Sequence, residues 1–429
     1  MIIHVVKQGE TIQSIADFYE VSVDRLILEN EIPNPDNLIA GQDLVILFPK
    51  QTYVVREGDT LSSIANEFDI SVLELIRNNP YLSNREFIFP GEELVISYMD
   101  NKIMNASVNG YTYPFIDSDT LRKTLPYLTY LTIFNYMVTS EGDLIDINDR
   151  DIIEAAKLYG VAPIMLISTR DAEGYYDIYV INHILASEEI QNRLINNALD
   201  ILSSKGYYGL TIDFPYISPT DREGYVAFVD NMTQRLNAEG YIVNITLSPS
   251  TFEVESGFLY RGFDYASLGQ VTDGTMLLSY EWGFTYGPPI SLMPLDLIND
   301  LIEYAVTQIP PNKTYIGIPS VGYLWRIPYI EGTRAAAMSY LSAIRLAEQV
   351  GATIQFDEFS QTAFYQYVEN VNEYFVRFKD SRSINVRLDL VPKYGFAGFG
   401  VWNIVFYFPQ LWLLVNNKFG INKVLDPLF

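Results

Sequence analysis

A carboxylate at the end of an apolar run is the first place in this chain where chemistry could happen. The run is Gly206-Tyr-Tyr-Gly-Leu-Thr-Ile-Asp213-Phe-Pro215-Tyr216. Residues at i and i+2 of a strand share one face, so acids at 213 and 215 would work together on a single scissile bond. Only Asp213 is an acid, because position 215 holds proline. Proline has no side-chain proton to give, and its ring fixes φ and removes the backbone N–H. Other candidates end neighbouring runs: Tyr136, Ser248, Tyr280-Glu281-Trp282 and Trp402-Asn403. Their aromatic faces suit sugar rings, whose axial C–H groups stack on them.

The elements that must position these residues fill the chain from about 105 to 429. Strand patterns cover 106–113, 128–136, 162–168, 209–213, 242–248, 274–280, 314–319 and 398–402. Helical patterns at 188–205, 221–239, 294–309 and 334–350 alternate with them. Eight apolar strands alternating with helices predict an α/β fold, a (β/α)8 TIM barrel whose chemistry sits at the C-terminal strand ends. A Tyr- and Phe-rich stretch with period-two alternation predicts a small α+β insertion near 352–379, between the seventh and eighth barrel strands.

Composition removes whole classes of function. A formal charge of −25 argues against nucleic acid and against anionic membrane surfaces. With no cysteine and only His4 and His183, thiolate sites, a His-based metal centre and a Ser-His-Asp triad are excluded. His4 begins a predicted strand and His183 falls in a linker before a helix. No metal and no cofactor is expected. No apolar run is long enough to span a bilayer, and the start, Met1-Ile-Ile-His-Val-Val, lacks the basic and apolar regions of a signal peptide.

The first hundred residues are an internal repeat. Val5-Val-Lys-Gln-Gly9-Glu-Thr11-Ile-Gln-Ser-Ile15-Ala matches Val54-Val-Arg-Glu-Gly58-Asp-Thr60-Leu-Ser-Ser-Ile64-Ala at an offset of 49. The offset grows to 50 where Ala40-Gly41-Gln-Asp-Leu44-Val-Ile meets Pro90-Gly91-Glu-Glu-Leu94-Val-Ile. Each copy reads as strand, helix, helix, strand, with Thr11 or Thr60 as N-cap. The copies, 1–49 and 50–98, resemble LysM modules, βααβ units that bind N-acetylglucosamine-containing glycans such as peptidoglycan and chitin. That resemblance implies a groove made by Gly9, Glu10, Thr11, Ile32 and Asn34, and in the second copy by Gly58, Asp59, Thr60, Asn79 and Leu82. The repeats carry 6 Lys+Arg against 16 Asp+Glu, so hydrogen bonds to acetamido groups, rather than charge, must hold a wall polymer.

The barrel resembles family 18 glycoside hydrolases, in the branch of LysM-bearing spore cortex-lytic N-acetylglucosaminidases and spore germination proteins. Tyr208-Gly-Leu-Thr-Ile-Asp213-Phe and Leu278-Ser-Tyr280-Glu281-Trp282-Gly283 carry the likeness. Gly287-Pro-Pro, Lys379-Asp-Ser-Arg-Ser383 and Phe399-Gly-Val-Trp402-Asn add to it. Catalysis in that family uses the substrate's own N-acetyl oxygen and falls outside the two-carboxylate scheme. By resemblance Asp213 orients the acetamido group, Tyr280 hydrogen-bonds it, and Glu281 contacts the sugar. Trp402 forms the floor, with Trp282, Tyr136 and Asn403 as further substrate contacts. The proton donor belongs at 215, where this chain has Pro215. Losing such a donor costs roughly 10²–10⁴ in rate. Glu281 is the nearest substitute, and Glu223 falls on the following helix, away from the site.

Three expectations follow. The first is a glycan-binding pseudoenzyme of the spore envelope, at the coat–cortex boundary or otherwise cell-wall associated, made in the mother cell without a signal peptide. The second is an active spore-cortex N-acetylglucosaminidase using a displaced acid. The third is a structural spore-coat or self-assembling layer protein, with which 32 Tyr and 24 Phe are compatible. The partner expected throughout is peptidoglycan or a chitin-like glycan, with self-association or spore-coat proteins beside it.

Overall fold

The computed structural model describes residues 1–83, 85, 87–170, 177–215, 217–248, 263–279, 288–289 and 295–428. The first repeat pairs β1 (Ile2–Val5) with β2 (Asp43–Ile46) in antiparallel fashion, around helices Ile12–Tyr19 and Val23–Asn30. The second pairs β3 (Pro49–Val54) with β4 (Glu93–Tyr98), around helices Leu61–Glu67 and Val72–Asn78. Thr11 Oγ1 accepts from Ser14 N at 3.1 Å, and Ser14 Oγ accepts from Thr11 N at 3.0 Å. Thr60 and Ser63 repeat this reciprocal cap at 3.0 and 2.9 Å. Such a cap satisfies two orphan N–H groups, and the N-cap side chain alone contributes about 1 kcal/mol.

A buried asparagine fastens each second helix to the closing strand. Asn30 Nδ2 donates to the Leu26 and Val45 carbonyls, while its Oδ1 accepts from Val45 N at 2.8 Å. Asn79 does the same with Leu75 and Val95.

The barrel strands are β5 (Met104–Thr112), β6 (Tyr130–Met137), β7 (Ala162–Ser168), β8 (Gly209–Asp213), β9 (Ile242–Leu247), β10 (Gly274–Leu277) and β11 (Thr314–Pro319). An insertion follows with β12 (Gly322–Ile327), β13 (Ala336–Met338), β14 (Gln355–Asp357), β15 (Thr362–Glu369) and β16 (Asn372–Phe378). Then β17 (Gly398–Trp402) closes the barrel against both β11 and β5, and β18 (Phe419–Ile421) pairs with the start of β5. All barrel pairings are parallel and consecutive. Strands such as β7 and β8 are buried at every residue, which is why they read as unbroken apolar runs.

The insertion is larger than the stretch near 352–379. Its antiparallel sheet, ordered β13-β12-β16-β15-β14, already begins at Gly322. The helix expected from Arg334 starts only at Tyr340, because Ala336–Met338 pairs with β12 and Ser339 caps the helix. His183 lies inside helix Ile178–Ala186 rather than in a linker.

The repeats are packed onto the barrel. Val45, Leu47, Val95 and Tyr98 belong to the same buried apolar cluster as the barrel strands. Tyr340 Oη donates to Asp43 Oδ1 and Ser381 N to Asp43 Oδ2, both at 2.8 Å. Asn416 Nδ2 donates to the Arg77 carbonyl and to Asn78 Oδ1, and Arg77 Nη1 to the Pro126 carbonyl. The helix Pro409–Lys418, which carries Asn416, is buried along its whole length beneath these contacts.

Candidate active site

Asp213 ends β8 with its side chain almost wholly enclosed, at 5% exposure. The register of β8 against β9 sets Ile212 opposite Ile245, and so Asp213 beside Thr246. Thr246 Oγ1 donates to Asp213 Oδ1 at 2.5 Å. Burial pushes the Asp213 carboxyl up to about 6, while the Thr246 hydrogen bond and the Arg170 charge pull the other way. The aspartate is thus half-neutral near pH 6, a state set by enclosure.

Around it lies an aromatic wall. Tyr111, Phe134, Leu166, Met276 and Leu278 form one buried cluster, with Tyr113, Tyr315 and Trp402 packed against it. The Trp402 ring is 5.2 Å from Phe134, 5.8 Å from Tyr111 and 5.9 Å from Tyr113. Burial and the Asp213 charge both raise the Tyr111 hydroxyl, so this tyrosine stays neutral beside the carboxylate. Arg170 Nη1 donates to Tyr113 Oη at 3.3 Å, and its guanidinium sits over the Phe134 ring. Asn403 is buried next to Trp402, and among the described residues nothing donates to its Oδ1. A shielded carboxylate can accept from an N–H donor, and aromatic faces beside it are of the kind on which sugar rings stack.

The structure brings Asp213, Trp402 and Asn403 to one end of the barrel. Tyr280, Glu281 and Trp282 lie outside the described residues. Pro215 is buried two residues past the end of β8, and Glu223 is exposed on the first turn of helix Arg222–Ala238. Tyr136 is a correction. A register irregularity in β6 between Ile133 and Tyr136 turns it away from the mouth. There it donates to buried Asp149 and accepts from Lys205 Nζ at 2.8 Å, between barrel and helices.

The LysM groove residues also need sorting. Ile32 and Leu82 belong to the two module cores, and Asn79 is the buried fastener described above, so none of the three faces a ligand. Glu10 accepts from Lys7 N at 2.7 Å, and Asp59 from Arg56 N at 2.7 Å and Tyr53 Oη at 2.8 Å. Those backbone hydrogen bonds lower both carboxyls and hold the turns at Gly9 and Gly58, whose φ of +86° and +88° favours glycine. Thr11 and Thr60 are the caps. Asn34 donates to Glu348 of the helix Tyr340–Val350.

Thr246, Arg170, Tyr111, Tyr113 and Phe134 went unread in the sequence. Thr246 had a usable signal: it lies one residue from the end of a strand that must neighbour the one carrying Asp213.

The family model "Glycosyl hydrolases family 18" matches residues 172–406, and the LysM domain model matches 4–47 and 53–97. The "Cortical fragment-lytic enzyme" of Bacillus subtilis (strain 168) is 35% identical over 99% of both chains. The protein of the same name in Bacillus anthracis is 31% identical over 97% of this chain and 98% of that one. The crystal structure of the Bacillus megaterium QM B1551 spore cortex-lytic enzyme SleL superimposes with a TM-score of 0.82 at 30% identity, covering 98% of each chain. Asp213 and the aromatic cluster beside it therefore sit in a chain that belongs to glycosyl hydrolase family 18 and carries two LysM domains.

Proposed function

We propose that this protein acts on the glycan strands of spore-cortex peptidoglycan, as a glycosidase for N-acetylglucosamine linkages whose leaving-group proton comes from outside β8. The observation that carries this reading is buried Asp213 with its Thr246 donor, at the same barrel end as the Trp402 ring, in a chain similar along 99% of its length to a cortical fragment-lytic enzyme. Asp213 holds the acetamido N–H, so the acetamido oxygen is aimed at the anomeric carbon. The aromatic wall excludes water from the side of attack. A second reading has its own observation. Pro215 fills the place where family resemblance expects the acid, and it carries no proton, which favours a protein that binds cortex glycan without cutting it.

One experiment separates them. Reducing-end release from cortex fragments by the wild-type protein, abolished in Asp213→Asn, supports the glycosidase. Sedimentation with insoluble peptidoglycan and no release in either protein supports the binder. Pro215→Glu should raise any release by roughly 10²–10⁴ if the pocket is otherwise intact. A gain means that position 215 is an empty donor place in an intact site, as the binder reading has it; no gain beside measurable wild-type release means that the donor lies elsewhere, as the glycosidase reading has it.

A further inference from the structure

The two LysM modules share a sequence pattern, so each serves as a control for the other. Aligned on the glycine that precedes each closing strand, four positions have opposite fates. A Cβ on Gly41 would lie 1.9 Å from the Ile354 carbonyl oxygen, whereas one on Gly91 would meet nothing within 4 Å. Ile39 packs against the barrel core, whereas its counterpart Phe89 is 59% exposed. Asn37 donates to Glu348 at 3.2 Å, whereas its counterpart Phe87 is 70% exposed. Past the glycine, Asp43 is buried under Tyr340 and Ser381, whereas Glu93 is exposed. The Ala40 carbonyl also accepts from Ile354 N at 2.9 Å.

We propose that the modules divide the labour: the first is a fixed docking piece whose helix–strand loop is spent on the barrel, and the second carries the glycan-binding face, built on Phe87 and Phe89. This rests on the cortex-glycan reading above. Two phenyl rings two residues apart, both mostly in water, give this loop an apolar character that the first module's loop lacks, and clustered exposed apolar side chains mark contact sites. The occupant is an uncharged N-acetylated sugar chain, not a second copy of this protein. Residues 53–97 carry 3 Lys+Arg and 8 Asp+Glu, so two such faces repel each other, whereas a neutral sugar does not. Arg85, which could soften that repulsion, is already paired with Glu92 at 2.7 Å.

The test uses the full chain and purified insoluble peptidoglycan in a sedimentation assay. Phe87→Ala/Phe89→Ala should bind roughly tenfold more weakly or worse, with an unchanged melting temperature and unchanged turnover of short soluble oligomers. Asn37→Ala should leave sedimentation intact. If the double variant melts early, Phe87→Ala alone carries the same comparison. Wild-type protein that does not sediment overturns the glycan reading and this inference with it. Wild type and double variant sedimenting alike, or loss of binding in Asn37→Ala, overturns the division of labour only. A changed oligomeric state in the double variant, with binding kept, would assign the face to self-association instead.

Discussion

Replacing Thr246 by Val removes the hydroxyl that donates to Asp213 and keeps the side chain's shape. A hydrogen bond to an ionised carboxylate inside a protein is worth about 1.5–3 kcal/mol. At 1.36 kcal/mol per unit this moves the carboxyl by about 1–2 units. Asp213 starts at about 6, because burial opposes its charge more strongly than Thr246 and Arg170 support it. The variant should therefore titrate between about 7 and 8. The ionised carboxylate accepts from the acetamido N–H about twice as strongly as the neutral carboxyl does, so the acid limb of kcat/KM should shift upward by the same 1–2 units. Activity would be low at pH 6 and recover toward pH 9. Reducing-end release from soluble cortex fragments, measured across pH, reads this directly, and an NMR titration of the carboxyl reads it without turnover. The stability linkage has a definite sign. The folded-state value lies above the ordinary 3.8, so Asp213 supports the fold most fully below pH 3.8. That support is lost as pH rises to about 6, and in the variant the loss continues to higher pH. An unmoved acid limb in a variant that still melts normally would refute the account of Asp213.

Gly41→Ala and Gly91→Ala impose similar backbone strain, with φ of +89° and +94°, but only the first meets the Ile354 carbonyl. Gly91→Ala should cost about 1–2 kcal/mol, and Gly41→Ala about 1–3 kcal/mol more from overpacking, read by thermal melting. Asp43 is pushed up from 3.8 to about 6, by burial first and then by the like charge of Asp380. Its contribution to stability therefore falls as pH rises from about 4 to 6, and Asp43→Asn should flatten the stability–pH curve there, measured by denaturant melts. Tyr136→Phe should lower stability by about 1–3 kcal/mol by stripping a partner from buried Asp149. Turnover by that variant should stay at the wild-type level, because the ring faces away from the pocket.

The barrel was legible because parallel strands buried on both faces leave continuous apolar runs between amphipathic helices. Asp213 was legible for the same reason, as a charge at the end of such a run. Tyr136 was misplaced because strand alternation puts it on the face of Phe134, and the irregularity after Ile133 breaks that alternation without a marker such as glycine. The insertion's second strand was hidden because Ala336–Met338 reads equally well as helix, and only pairing with β12 makes it a strand. Asn79 and Leu82 were groove residues by the LysM resemblance alone, yet burial turns them to the module's interior. The non-equivalence of the modules had no signature at all, because it depends on what Glu348 and Ile354 touch some three hundred residues away.

The shared core between the LysM units and the barrel has a consequence for how the protein would work along a polymer. A module on a loose tether raises local concentration and lets the catalytic end sample many positions. Here Asp43, Asn416 and Arg77 leave no slack. A strand gripped by the second module would reach the barrel mouth at one set spacing, so the anchor behaves as a ruler. Fragment lengths from long cortex strands should then cluster narrowly, and a version with the modules moved onto a flexible linker should produce a broad spread.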